Sequence, residues 1–275
     1  MEFWFRFFSI WPLWALQAIG HGVGWLVWLL SPVYRRRFME NARQAGLGWA
    51  QVWPAIGHAG VMFLELPRLW LGRPVPVQWA DDRAAVRVYS AGQGVIILSP
   101  HLGCFEMVAQ APAQRFAQDH GPLTALYRPA RQASLAKLML SARNRPGLTL
   151  VPTTVAGVRQ MIKALRVGHA VAMLPDQVPP EGMGVWAPFF GQPAYTMTLA
   201  ARLANQTGAQ VLLLWCERLS WGRGYRVHTR ELGHGLSADL DVAVVQINQA
   251  MEQLVRECPG QYLWGYARYK GPRSA

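Results

Sequence analysis

From Asp81 onward, short apolar runs alternate with amphipathic stretches of helical length, and this alternation narrows the possible fold more than any other feature. The runs at 94–98, 123–128, 148–151, 170–174 and 210–217 have the length of buried strands, and 225–231 adds another. The stretches between them predict helices near 104–117, 132–143, 154–167 and 196–207, with a last helix over 240–257. In the helix at 154–167, Val155, Val158, Ile162 and Leu165 form one stripe, while Arg159, Lys163 and Arg166 lie away from it. Strands joined through helices pair in parallel, because the crossover returns the chain to the edge it left. The expectation is an α/β fold, a mostly parallel central sheet flanked by helices. In such folds ligands bind beyond the carboxyl ends of the strands.

One strand end carries suggestive chemistry. The run Val95–Leu98 is stopped by Ser99-Pro100, because proline cannot continue a ladder, and His101, Gly103 and Glu106 come next. Residues five apart in one straight helix point about 140° away from each other. His101 and Glu106 therefore meet only if His101 lies in the loop before the helix. Imidazole titrates near neutrality and can take a proton from a hydroxyl. A carboxylate on its second nitrogen would fix the tautomer and steady the imidazolium. The spacing is equally compatible with a structural histidine at a strand end and a solvated glutamate. Arg128, in Tyr127-Arg128-Pro129, and Asp176, in Leu174-Pro175-Asp176-Gln177, fall after strands on the same rim. Arg128 suits a phosphate or an oxyanion, or is a surface cation. Asp176 suits a hydroxyl or an arginine, or forms a turn after Pro175.

The net charge is +12, yet only 15% of residues are charged, against roughly 25% in ordinary soluble domains. Of 13 tryptophans, seven lie within the first 53 residues. This balance fits an anionic membrane surface better than a nucleic acid, for which no reader motif is present. Phe7–Leu30 is 24 residues without a charge, 17 of them apolar, enough to cross a bilayer core. Gln17 and the stretch Gly20-His21-Gly22-Val23-Gly24 weaken it near the middle, so a kinked span and a segment lying in the interface are both open. Arg35-Arg36-Arg37 places the downstream chain on the cytoplasmic side. The expected organisation is a membrane anchor over 1–34 and a single α/β domain over 35–275, of which 35–80 form a helical, proline-punctuated arm. Three scattered cysteines show no C-x-x-C spacing, and Cys104 reads as packing rather than as a nucleophile. Without a P-loop, a G-x-S-x-G elbow or an H-E-x-x-H motif, no cofactor, covalent intermediate or metal is implied.

Five blocks occur in order: His101-Leu-Gly-Cys-Phe-Glu106, Tyr127-Arg-Pro129, Met173-Leu-Pro-Asp-Gln177, Val185-Trp-Ala-Pro-Phe-Phe-Gly191 and Gln261-Tyr-Leu-Trp-Gly-Tyr-Ala-Arg-Tyr-Lys270. Together they resemble the bacterial lipid A biosynthesis lauroyl/myristoyl acyltransferase family, within the glycerolipid acyltransferase group marked by H-x4-D/E. The resemblance covers roughly residues 1 to 270. It implies a bacterial inner-membrane enzyme, catalytic on the cytoplasmic face, moving an acyl chain from acyl carrier protein (or coenzyme A) thioester to a lipid hydroxyl. It maps His101 and Glu106 onto the catalytic pair, and Arg128 and Asp176, with their neighbours Tyr127 and Gln177, onto substrate-binding blocks. The closing block departs from the family's Trp-x-His-x-Arg-Phe-Lys pattern, as Trp264 is followed by Gly265-Tyr266-Ala267-Arg268-Tyr269-Lys270. The acceptor is thus a lipid A precursor, another lysolipid or an aminolipid. A lipid-binding protein of the same fold without catalysis is the alternative.

Overall fold

A computed structural model describes residues 2–127, 132–143, 145–233 and 235–272. Helices come first: α1 (Glu2–Ser9), α2 (Leu13–Leu30), α3 (Pro32–Gln44), α4 (Trp49–Val52), α5 (Pro54–Leu64) and α6 (Leu66–Leu71). Alternation begins with β1 (Val77–Trp79), α7 (Arg83–Ser90), β2 (Val95–Leu98), α8 (Met107–His120), β3 (Leu123–Tyr127) and α9 (Ala133–Arg143). It continues through β4 (Leu148–Pro152), α10 (Val155–Arg166) and β5 (Ala170–Met173) to a hairpin, β6 (Gly184–Phe189) and β7 (Gln192–Met197). The chain closes with α11 (Leu199–Thr207), β8 (Gln210–Arg218), β9 (Tyr225–Glu231) and α12 (Leu240–Glu257).

Among the described residues, seven strands form one sheet in the order β1-β9-β8-β2-β5-β3-β4, and only the β8–β9 pair is antiparallel. The expected mostly parallel α/β sheet is therefore present. Its central strands are buried on both faces, as continuous apolar runs require. Along β2, Val95 and Ile97 face the layer of α7 and α8, while Ile96 and Leu98 face the layer of α10, α11 and α12. The expected strands appear within a residue or two of their expected ends. Three features lie outside the expectation: β1, helix α7, and the β6–β7 hairpin, in which Pro188 pairs with Pro193. The hairpin turns on Phe190 and Gly191, both at positive φ (46° and 77°), the two-residue geometry that matches strand twist.

The arm joins the sheet through a buried ion pair. Glu65, between α5 and α6, accepts three hydrogen bonds from Arg218 at 2.8–3.0 Å and one from the Tyr225 hydroxyl at 2.9 Å. The pair is excluded from solvent, so removing one partner leaves an uncompensated charge. The arm also receives α2. Gly20 and Gly24 let the two helix backbones touch: a Cβ on Gly24 would lie 2.1 Å from the Ile56 carbonyl oxygen. A sequence-level helix weakness is thus a packing surface for α5, and the Gly22 side of α2 meets nothing within 4 Å.

Two neighbouring glycines of α2 should therefore respond in opposite directions. Gly24→Ala is expected to destabilise by about 1–3 kcal/mol through overpacking. Gly22→Ala is expected to stabilise by about 0.5–1 kcal/mol through helix propensity. Chemical denaturation of both variants measures the difference.

Candidate active site

Strand register creates the central contact. Leu98 of β2 is directly paired with Met173 of β5, and His101 and Asp176 each stand three residues later. Two loops leaving adjacent parallel strands in step bring these side chains together. The His101 backbone N–H donates to Asp176 Oδ2 at 2.8 Å, and its Nδ1 lies 2.7 Å from Oδ1. A carboxylate only accepts, so Nδ1 carries the proton. On the other side of the ring the Gln177 amide donates to Nε2 at 3.1 Å. The ring is thereby held with its lone pair on Nε2, turned toward the cleft.

Asp176 is almost wholly buried. Burial pushes its carboxyl upward, but the electrostatic pull of the His101 ring, the two hydrogen bonds from that residue and the nearby Arg268 guanidinium outweigh it. The net result is a carboxyl held below the usual range. Tyr262 lies against it, and burial together with the Asp176 charge pushes that phenol far up.

The expectation that Glu106 is the carboxylate behind His101 is corrected by this geometry. His101 does lie in the loop before α8, but Asp176 occupies its second nitrogen. Glu106 stands at the N-cap of α8 and points into the layer between α6 and α9. It accepts from Trp70 Nε1 at 3.0 Å, from Arg143 Nε at 2.9 Å, and again from Arg143 Nη2. The Arg143 guanidinium also covers the Trp70 ring at 5.0 Å, and Phe5 of α1 stacks on that ring at 5.5 Å. No local pattern in the sequence singles out Trp70 or Arg143; only the tertiary fold brings them to Glu106. Gly103 explains the turn between His101 and Glu106. It has φ +60°, and a Cβ there would lie 2.0 Å from the Cys216 carbonyl oxygen. Cys104 is buried, and burial with the neighbouring Glu65 charge pushes its thiol far up, so it is no thiolate nucleophile.

His101 and Glu106 both line a cleft of about 760 Å³ that opens over the edge of the sheet. On the α8 side its wall is apolar, with Val108, Ala109, Ala125, Met139, Leu148 and Leu150. On the α10 and α11 side Thr153, Thr154 and Arg202 join Leu126, Val158 and Met197. Tyr127 and Gln177 line it as well, whereas Asp176 sits behind His101. Arg128 lies outside the described residues.

The closing block acts as a strap over both loops. Leu263 N–H donates to the His101 carbonyl at 3.2 Å, and Gly103 N–H donates to the Gln261 carbonyl at 3.1 Å. The Val178 N–H, just beyond Gln177, donates to the Tyr266 hydroxyl at 3.0 Å. Arg268, buried, reaches the Tyr195 carbonyl and the Thr196 hydroxyl of β7 at 2.7 and 2.5 Å. Asn41 of α3 holds the strap by its Trp264 and Tyr266 carbonyls. The block stands out in the sequence; its supporting role becomes visible only in three dimensions.

Residues 77–271 match the family described as bacterial lipid A biosynthesis acyltransferase. The lipid A biosynthesis palmitoleoyltransferase of Escherichia coli K12 is 25% identical over 185 residues, covering 67% of this chain and 58% of that protein. This chain thus spans less than two thirds of that relative's length. A lipid A biosynthesis acyltransferase of Haemophilus influenzae is 24% identical over 293 residues, covering 94% of this chain and 85% of its own. A phosphatidylinositol mannoside acyltransferase of Mycobacterium tuberculosis is 28% identical over 139 residues, covering 48% and 42%.

The Asp176 contact has a pH signature. A carboxyl lowered by folding contributes stability above its unfolded value of about 3.9, and that contribution is lost as pH falls through the lower folded value. Asp176→Asn is therefore expected to lower stability near neutrality and to flatten its acid limb. Urea denaturation of both proteins from neutral to acid pH is the check.

Proposed function

Because the chain belongs to the bacterial lipid A biosynthesis acyltransferase family, we propose that it moves a fatty acyl chain from a thioester donor to a hydroxyl of a lipid A precursor. The observation that supports this most is the His101 ring, fixed by Asp176 and Gln177 with an unprotonated Nε2 facing the cleft. An acceptor hydroxyl replacing the Gln177 amide would give its proton to Nε2 while its oxygen attacks the thioester carbonyl. A tetrahedral intermediate forms and collapses, the carbon–sulfur bond breaks, and the imidazolium returns the proton to the departing thiolate. Asp176 steadies the imidazolium between these two steps. No acyl-enzyme is needed.

In this reading the apolar α8 side of the cleft holds the acyl chain, and the side with Thr154 and Arg202 receives the polar acceptor. Glu106 positions the chain-binding wall by gripping Arg143 and Trp70 and leaves the proton transfer to His101. Tyr127, which lines the cleft at the end of β3, contacts substrate, and Arg128 is carried over from the family resemblance as a further substrate-binding residue. The donor is acyl carrier protein, an acidic partner that a net charge of +12 would steer toward the cleft. The location is the cytoplasmic face of the bacterial inner membrane; the apolar α2 supports the association with a membrane. The names of the relatives support a glycolipid acceptor, lipid A in two cases and a mannoside in the third.

Purified protein given acyl carrier protein thioester and a lipid A precursor should yield the acylated lipid by mass spectrometry. Release of free fatty acid alone would make it a hydrolase. His101→Ala and Asp176→Asn should each lower kcat by about 10²–10⁴-fold. Glu106→Gln should raise the donor KM more than it lowers kcat. Undiminished turnover in His101→Ala would leave a lipid-binding protein without this chemistry.

A further inference from the structure

The apolar helix α2 is attached to the body of the protein along its whole length. Near its start, Gln17 accepts a hydrogen bond from the Gly222 N–H at 2.9 Å, in the tip between β8 and β9. In its middle, Gly20 and Gly24 touch α5. Toward its end, Trp25 and Trp28 meet Trp53 and Trp49 at 6.4 and 5.9 Å. The opposite face is bare, and every exposed position on it is apolar, among them Trp14, Ile19, Val23, Leu26 and Leu30. A continuous apolar face along an 18-residue helix, about 27 Å long, calls for a covering partner.

If α2 crossed a bilayer, everything fixed to it would enter the hydrocarbon too. That includes the β8–β9 tip with the exposed Arg223, which lies at the end of α2 remote from Arg35, Arg36 and Arg37. Arginine and open backbone turns are strongly disfavoured there. A helix lying in one leaflet avoids this, with the protein body in place of the polar face an interfacial helix normally carries.

Two further features sit beside it. Helix α1 shows Phe3, Trp4 and Phe7 to solvent, and its rings run on in edge contact to Trp11, just before α2. At the β8–β9 tip, next to Gly222 and its contact with Trp14, Trp221 is 85% exposed and held at φ +60°. Positive φ is costly for a bulky residue, so a nearly naked ring kept there points to a use outside the folded core. Arg223 stands two residues on, the pairing of aromatic ring and cation found at lipid boundaries.

We infer that α2 lies in the plane of one leaflet instead of spanning the membrane, with α1 and the Trp221 tip as further points of insertion into an anionic bilayer. The inference rests on the membrane placement proposed above and is independent of the chemistry at His101. Both ends of α2 then lie on the same side of the membrane. Phe5, on the inner face of α1, reaches Trp70 and through it the Glu106–Arg143 wall, so the inserted surface borders the apolar half of the cleft.

The first test is an Arg6→Cys variant of the full chain, at the exposed polar position of α1, with Cys258→Ser to lower background, in spheroplasts treated with a membrane-impermeant maleimide. Labelling is expected only after permeabilisation; labelling of intact spheroplasts would mean that α2 spans. The second is sedimentation with vesicles of phosphatidylethanolamine and phosphatidylglycerol. Trp221→Ala should weaken partitioning about tenfold and Trp221→Phe much less. Unchanged partitioning of Trp221→Ala would remove the tip from the surface. A soluble dimer that ignores vesicles would show that a second copy covers the face and overturn the inference. His101→Ala should bind vesicles as the unaltered protein does, which separates failure of the chemistry from failure of docking.

Discussion

The alignment of two parallel strands sets the geometry of the candidate active site. With Leu98 opposite Met173, the loops after β2 and β5 rise in step, and His101 meets Asp176 through both its backbone and its ring. A one-residue slip would turn every side chain of β2 to the other face and break the two-layer core as well as the pair. The hydrophobic core therefore guards the site geometry against any odd-numbered slip, which would displace the apolar side chains and separate the pair together. The strap of Gln261 to Arg268 adds a second restraint from above, bonded to both loops.

The two carboxylates near the cleft have been given different environments. Asp176 is enclosed by His101, Tyr262 and Arg268 and, in the proposed reaction, is the fixed anion of a proton-transfer pair. Glu106 is matched by Arg143 and Trp70 and belongs to the wall. Deeper still, Glu65 and Arg218 tie the helical arm to β8, and Gln261 brackets the backbone of Arg218 from the strap. Arm, sheet and strap thus converge beneath the His101 loop. Removing any one of these charges would leave its partner stranded in a dry interior.

Much of this architecture can be read in the chain. Val95–Leu98 and Ala170–Met173 announce themselves as buried strands because they are apolar at every position, and prolines at 100 and 175 mark where they end. The β6–β7 hairpin hides for the opposite reason, since Pro188 and Pro193 argue against strands and are tolerated only in a two-stranded ribbon. His101 and Asp176 both fall after strands, but which strands are neighbours is not written locally. Sequence proximity favours Glu106 as the partner of His101; strand pairing favours Asp176, 75 residues away. Trp70 and Arg143 leave no trace in their own segments. The glycines of α2 read as defects in a helix and turn out to be the places where it touches α5.

The central claim is that Asp176, and not Glu106, holds the proton-bearing nitrogen of His101. The most direct measurement is NMR of protein labelled with ¹⁵N-histidine, following the Nδ1–H resonance of His101. A strongly hydrogen-bonded Nδ1 proton is expected, one that disappears in Asp176→Asn and persists in Glu106→Gln. A resonance that survives Asp176→Asn and is lost in Glu106→Gln would contradict the claim.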